Sequence, residues 1–251
     1  MKNKKLGFVL LPGGGMSSWV WEWIAPGLKL PHIALDRRIE INDYPHRKNA
    51  VMDDCVNYII SCIDQAPFDS CILVGHSGAG ALAASVAKRI SEKIIQVVYI
   101  AANIPPHGST MMSGLPLPLR LLNIVAVRKM IKRDSMPYVK IEKTLRDKFC
   151  NTCDEDAIQF VLSHDLQSEP LCVLSAKMDW TDFPGVPQTY VLLGSDRTIS
   201  VERQREMAGH LGITDFREID AGHMVMLSHP SELTGLLNGI AAGNENDAGA
   251  I

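Results

Sequence analysis

A serine hydroxyl is a weak nucleophile until a neighbouring base takes its proton. The string CILVGHSGAG, residues 71–80, frames one serine in the way such chemistry needs. An apolar, strand-like run passes through Gly75 and His76 into Ser77, and Gly78, Ala79 and an Ala-rich helical stretch follow at once. This is the small-x-Ser-x-small pattern of a nucleophile elbow, with Ala79 at the second small position. The serine must sit on a sharp, strained turn, so side chains two places either side would collide where helix meets strand. Its hydroxyl then projects past the strand's C-terminal edge, where the first helical N–H groups face developing negative charge. A strand before and a helix after set Ser77 apart from a chance match.

The base must reach Ser77, and a carboxylate must orient the base. Of eight histidines, His210, His223 and His229 lie late enough in the chain to follow the last strand-like runs. His210 falls within a helical stretch and His229 where the last helix begins. His223 follows FREID and the turn Ala221-Gly222, a loop at the right edge, and is assigned as the base. His76, beside the nucleophile, reads as a packing or pocket residue. Asp196, in GSDRT after the run TYVLLG, is the favoured acid over Asp215 and Asp220, because it stands on a loop at a strand's C-terminal end.

Two N–H donors are needed where the substrate's carbonyl oxygen turns negative. Gly78, next to Ser77, supplies one. Gly14, in the glycine-rich LPGGGMSSW after the first strand-like run, is assigned the other, with Gly13 and Gly15 shaping the loop. A phosphate-cradling loop is disfavoured: no Lys-Ser/Thr follows and the G-x-G-x-x-G spacing is absent.

The elements that must position these groups alternate. Strands are expected at Leu6–Leu11, His32–Leu35, Ser70–Val74, Ile94–Ala101, Thr189–Leu193 and near Asp215–Ile219. Helices are expected over Lys48–Gln65, Gly78–Ile90, Val201–Leu211 and from about Pro230. In the first of these helices Val51, Cys55, Tyr58, Ile59 and Cys62 should form the buried stripe, with Asp53, Asp54 and Asn57 outward. The strands read as near-continuous apolar runs, so the fold class is α/β, a mostly parallel, doubly wound sheet with helices on both faces. After Ala102 prolines break the alternation. Residues 1–104 and 185–251 are expected to form the core, and 105–184 an insertion between two parts of one sheet.

The chain has 251 residues, 46% hydrophobic and 21% charged, enough to bury a large core without disulfide or metal staples. Lys plus Arg is 25 against 28 for Asp plus Glu, a net charge of −3 that leaves no basic footprint for nucleic acid. The six cysteines do not suggest a disulfide scaffold. Cys150 and Cys153 make one C-x-x-C, which lacks the second ligand pair of a zinc site and the strand-to-helix context of a redox motif. Reduced thiols fit a cytoplasmic setting. The apolar run after Lys4 and Lys5 is shorter than a signal core and reads as a strand, and no stretch approaches a membrane span. The expectation is a cofactor-free, metal-free enzyme or small-molecule binder whose oligomeric state, a homodimer included, is left open.

Together these residues resemble the α/β-hydrolase superfamily over nearly the whole chain, with the first two strands of the full fold missing. LLPGGGMSSWVW and DAGHMVMLSHP are similar to the entry loop and the histidine segment of the plant-type methylesterase and hydroxynitrile lyase group. The match departs at Pro12, where that group usually has histidine. The resemblance implies that residues 105–184 form a helical cap, with MMSGLPLPLRLL, Met130 and Met136 lining an apolar pocket and Trp19 at its border. Trp19, Trp21 and Trp23 are expected to pack the first helix. The implied function is a serine hydrolase that cleaves a small, largely apolar carboxylic ester through an acyl-enzyme. The lyases normally carry lysine after the catalytic histidine, and Met224 stands there, which favours ester hydrolysis. Relatives that open epoxides or remove halides use an aspartate nucleophile, which Ser77 argues against. The alternatives are cyanohydrin cleavage with the same triad, or a non-catalytic small-molecule receptor.

Overall fold

The computed structural model describes residues 5–36, 50–113, 142–164, 166 and 171–248. Six strands form one sheet: β1 (Leu6–Leu11), β2 (His32–Ala34), β3 (Ser70–His76), β4 (Ile94–Ile100), β5 (Gln188–Leu193) and β6 (Asp215–Ile219). Their order is β2-β1-β3-β4-β5-β6 and every neighbouring pair is parallel. The order reverses about β1 and β3, so the chain winds outward in both directions from the centre. The sheet is thus α/β and doubly wound, as its apolar runs imply. β3 is buried along its whole length, because layers cover both sides of a central parallel strand.

The strand period of two sorts side chains to two cores. Val9, Leu11, Cys71 and Leu73 face one, which also contains residues of α1 (Met52–Asp64) and α2 (Gly80–Arg89). Phe8, Leu10, Ile72 and Val74 face the other, where Trp19, Trp21, Ile158 and Leu233 pack. α1 shows why a stripe must be read with its ends. Its buried residues are Cys55, Val56, Ile59 and Ile63, whereas the expected Val51 is 56% exposed. Val51 precedes the helix in extended backbone, and its N–H donates to Asp54 2.8 Å away. The stripe therefore starts one turn later than the apolar pattern suggests. Lys48 and Asn49, also expected in this helix, lie outside the described residues. The tryptophans depart too. Ser18–Trp21 is a 3₁₀ turn with Trp19 and Trp21 buried, and Trp23 is exposed.

Between β4 and β5 the described residues include α3 (Glu155–Leu162) and α4 (Leu171–Ser175), preceded by a π-helical turn, Leu145–Phe149. The two ends of this segment meet. Gly108 N–H donates to Met178 O at 2.8 Å, Met178 N–H to Ser109 O at 2.9 Å, and Trp180 Nε1–H to Pro105 O at 2.7 Å. Met130, Met136 and most of MMSGLPLPLRLL lie outside the described residues. α5 (Val201–Gly209), α6 (Val225–Ser228) and α7 (Pro230–Ala248) complete the fold. No helix among the described residues is long and apolar enough to cross a membrane.

Candidate active site

Ser77 occupies the turn that ends β3, with φ at 50°, a left-handed conformation rare for a residue with a Cβ. The main chain holds it there: Asn103 N–H donates to Ser77 O at 2.8 Å. The strain is feasible because the neighbours are small. A Cβ on Gly75 would lie 3.0 Å from Ala83 Cβ and 3.3 Å from Ala79 O. Ala79 itself is fully buried, so its methyl fits where the second glycine usually stands. Gly80 is under more pressure, since a Cβ there would come within 2.8 Å of both Ala102 Cβ and Asn103 O. Motif reading passed over Gly80, and the only signal for it was the repeated small residues of GAG.

The structure brings Ser77, His223 and Asp196 together from loops after β3, β6 and β5. Ser77 Oγ is 2.9 Å from His223 Nε2, and His223 Nδ1 is 2.7 Å from Asp196 Oδ2. An ionised carboxylate only accepts, so Nδ1–H donates to Asp196 and Nε2 is left to accept from the Ser77 hydroxyl. The His223 and Asp196 side chains are 1% and 0% exposed, while Ser77 remains partly accessible. The other Asp196 oxygen accepts from Thr198 N–H at 2.6 Å and Ile199 N–H at 3.1 Å. The Asp196 loop is fixed in turn by buried Gln204, which accepts from Leu193 N–H at 2.9 Å and donates to Leu193 O at 3.1 Å and Ile199 O at 2.8 Å.

The rival residues are engaged elsewhere. Asp220 accepts from Ser195 Oγ at 2.6 Å and Asp215 from Thr189 Oγ1 at 2.5 Å. His210 donates to Ile104 O at 2.6 Å from the end of α5, and His229 pairs with Ser228 Oγ at 2.9 Å. His76 is 1% exposed and its Nε2–H donates to His223 O at 3.0 Å.

Above the elbow the glycine-rich loop approaches closely. A Cβ on Gly13 would lie 2.8 Å from His76 Nδ1 and 3.1 Å from Ser77 Cβ. A Cβ on Gly78 would lie 3.2 Å from Gly14 N and 3.7 Å from the Met111 methyl. Gly14 N, Gly78 and Ser77 are therefore neighbours, with an apolar tip beside them. Gly15 takes φ of 79°, which turns the loop back.

Sequence reasoning missed a group from the segment between β4 and β5. Residues 148–152 touch both the loop of Asp196 and the loop of His223, and the Phe149 ring meets the His223 ring edge-on at 5.2 Å. Cys150 lies within this stretch and Cys153 directly follows it, both as free thiols. The Cys153 thiol donates to the Cys150 sulfur, which holds Cys150 below and Cys153 above the ordinary thiol value. Among the described residues no group of three or more His, Cys, Asp or Glu side chains is arranged to hold a metal ion.

Comparison with known proteins identifies the family. The chain is 25% identical over 256 residues to a carbendazim hydrolyzing esterase of Nocardioides sp. (strain SG-4G), covering 90% of this chain and 96% of that protein. It is 25% identical over 264 residues to esterase PIR7B of Oryza sativa subsp. japonica, covering 95% and 97%. A solved methylesterase from Arabidopsis shares the fold, with a TM-score of 0.70 at 17% identity over 95% of this chain and 99% of that one. These relatives agree with the resemblance to the plant-type methylesterase group. The model of the alpha/beta hydrolase family matches residues 8–235, and the chain belongs to that family.

Proposed function

We propose that this chain is a carboxylic ester hydrolase working through Ser77, His223 and Asp196. The observation that carries the reading is the unbroken path of hydrogen bonds from Ser77 Oγ through both imidazole nitrogens to Asp196, 2.9 Å and 2.7 Å long. The esterase relatives agree with it. Ser77 Oγ attacks the ester carbonyl carbon while its proton passes to His223 Nε2. Asp196 holds the imidazole in the tautomer that can accept, then faces the imidazolium. The carbonyl oxygen, now negative, is received by the N–H groups of Gly14 and Gly78. Collapse expels the alcohol, which takes the proton from His223 and leaves an acyl-Ser77. Water then attacks this acyl group, gives its proton to His223 and releases the acid, and the proton returns to Ser77.

The substrate class is a small, largely apolar ester. The Met111 methyl lies beside Gly78, and Met is a deformable apolar wall. Residues 105–184 act in this reading as the cap that selects the ester. The lyase alternative is disfavoured at Met224, fully buried and apolar, which gives cyanide no cation beside His223. A panel of nitrophenyl esters of short to medium acyl chains tests the assignment. Turnover should fall to background in Ser77→Ala, and mandelonitrile should release no cyanide. Unchanged ester turnover in Ser77→Ala would overturn the reading.

A further inference from the structure

Three consecutive residues centred on the base are tied down through their main chain. Gly222 N–H donates to Thr152 Oγ1 at 2.8 Å, His223 O accepts from His76 at 3.0 Å, and Met224 N–H donates to Phe149 O at 3.1 Å. Two of these three partners belong to residues 148–152. The same five residues hold the acid's loop. Asn151 Nδ2–H donates to Ser195 O at 2.9 Å, immediately before Asp196, and Thr198 Oγ1–H donates to Lys148 O at 3.2 Å. Ser195 N–H in turn donates to Ala221 O at 3.1 Å, so the two loops also touch directly.

Adjacent side chains on one short turn thus reach different loops. The turn is closed by Cys153 N–H donating to Cys150 O at 2.9 Å. The fit is tight: a Cβ on Gly222 would come within 2.6 Å of Asn151 Oδ1 and 2.8 Å of Thr152 Oγ1. A bridge of this kind constrains the distance between the loops, and with it the pairing of the imidazole with its carboxylate.

Resting on the triad reading above, we propose that Asn151 and Thr152 are positioning residues for the reaction, setting the Asp196 loop and the His223 loop in register. Neither touches the reacting atoms. Their effect is on how often His223 is aligned with both Asp196 and Ser77. Displacement of a catalytic group by about an ångström from a remote change costs up to roughly 100-fold in rate. The bridge therefore acts on kcat and leaves ground-state binding of the ester unchanged.

The test compares Thr152→Val, Thr152→Ser and Asn151→Ala with the intact protein on one nitrophenyl ester, with thermal melting measured alongside. Thr152→Val keeps shape and removes the acceptor of Gly222 N–H. It should lower kcat roughly 10- to 100-fold with KM within about two-fold. Thr152→Ser restores the acceptor and should recover most of kcat, and Asn151→Ala should repeat the kcat loss. A folded Thr152→Val or Asn151→Ala with unchanged kcat overturns the bridge. So does a folded Thr152→Ser variant whose kcat falls about 10-fold or more, which is read against the intact protein alone and needs no folded valine variant. Ser77→Ala is run in parallel. Its loss of turnover beside an unaffected Thr152→Val would remove the bridge and keep the triad, whereas activity in Ser77→Ala would remove the triad itself.

Discussion

The ring of His76 donates to the main-chain oxygen of His223 at 3.0 Å, across 147 positions of sequence. The residue beside Ser77 is thereby attached to the residue whose Nε2 faces Ser77 Oγ. The two rings lie 4.8 Å apart, and Trp21 meets His76 edge-on at 6.4 Å. His76 is neither a second base nor simple filling. It ties the His223 loop to the strand end that carries Ser77.

His76→Leu should therefore lower kcat on a nitrophenyl ester, because His223 O loses its donor in a buried place. A lost buried partner costs about 1–3 kcal/mol, which at 25 °C corresponds to a drop of up to roughly 100-fold if all of it falls on the transition state. His76→Gln retains an N–H donor and should lie between. Steady-state kinetics of the two variants checks this, and equal activity in His76→Leu and the intact protein would contradict it.

Asp196→Asn exchanges a pure acceptor for a group that also donates. His223 would then favour the tautomer whose Nε2 carries the proton, which cannot accept from Ser77. A kcat loss of about 10⁴-fold is expected from the tautomer alone, with the fold retained. Circular dichroism and kinetics together decide it. An active Asp196→Asn would point to another carboxylate.

Gln204→Leu should destabilise the protein, since the side chain satisfies Leu193 N–H, Leu193 O and Ile199 O in a fully buried position. Each buried group left unpaired costs about 1–3 kcal/mol. Melting temperature should fall clearly, and activity with it, because the same bonds shape the loop of Asp196. A melting curve unchanged by the substitution would count against that view.

Acid should weaken one surface pair of the segment between β4 and β5. Hydrogen bonds from Arg146 and then Gln159 lower the Glu155 carboxyl from its ordinary 4.5 to about 2. A carboxyl depressed on folding contributes stability that is complete above its unfolded value and is lost as pH falls through its folded value. The window is thus from 4.5 down to about 2. Glu155→Gln should lower the melting temperature slightly at neutral pH, and the gap from the intact protein should narrow as pH drops through that window. The pair is exposed, so salt should shrink the gap as well.

Much of this was legible in the chain because each residue assigned to the site follows a strand-like run, apolar before Ser77 and Asp196 and mixed in FREID before His223. Ser77, Asp196 and His223 follow β3, β5 and β6, and a parallel sheet brings those ends to one edge. Asp220 was harder to set aside, and what separates it from Asp196 is a local bond to Ser195 that no pattern announces. The start of α1 misled because Val51 is apolar yet serves as the extended residue before the helix. Thr152 was illegible for a different reason: its partner Gly222 is 70 positions away, and neither residue belongs to a periodic run. Gly80 likewise takes its meaning from Ala102 and Asn103 across the fold. Periodicity finds the elements, but it does not see which loops they will lean on.

The meeting of Gly108 with Met178 has a consequence for how such a protein changes over generations. A segment that leaves and returns at one place imposes no span on the sheet it interrupts. The entropy cost of a closed loop rises only with the logarithm of its length, about 0.6 kcal/mol for each doubling. Changes of length between those two points thus cost the core little, provided that Leu145, Ala157, Ile158, Val161 and Val173, which pack into the two cores, stay in place. A further exception is the short turn at 148–152, which is hydrogen-bonded to the loops of Asp196 and His223. Variation in the segment should therefore spare that turn and those core residues.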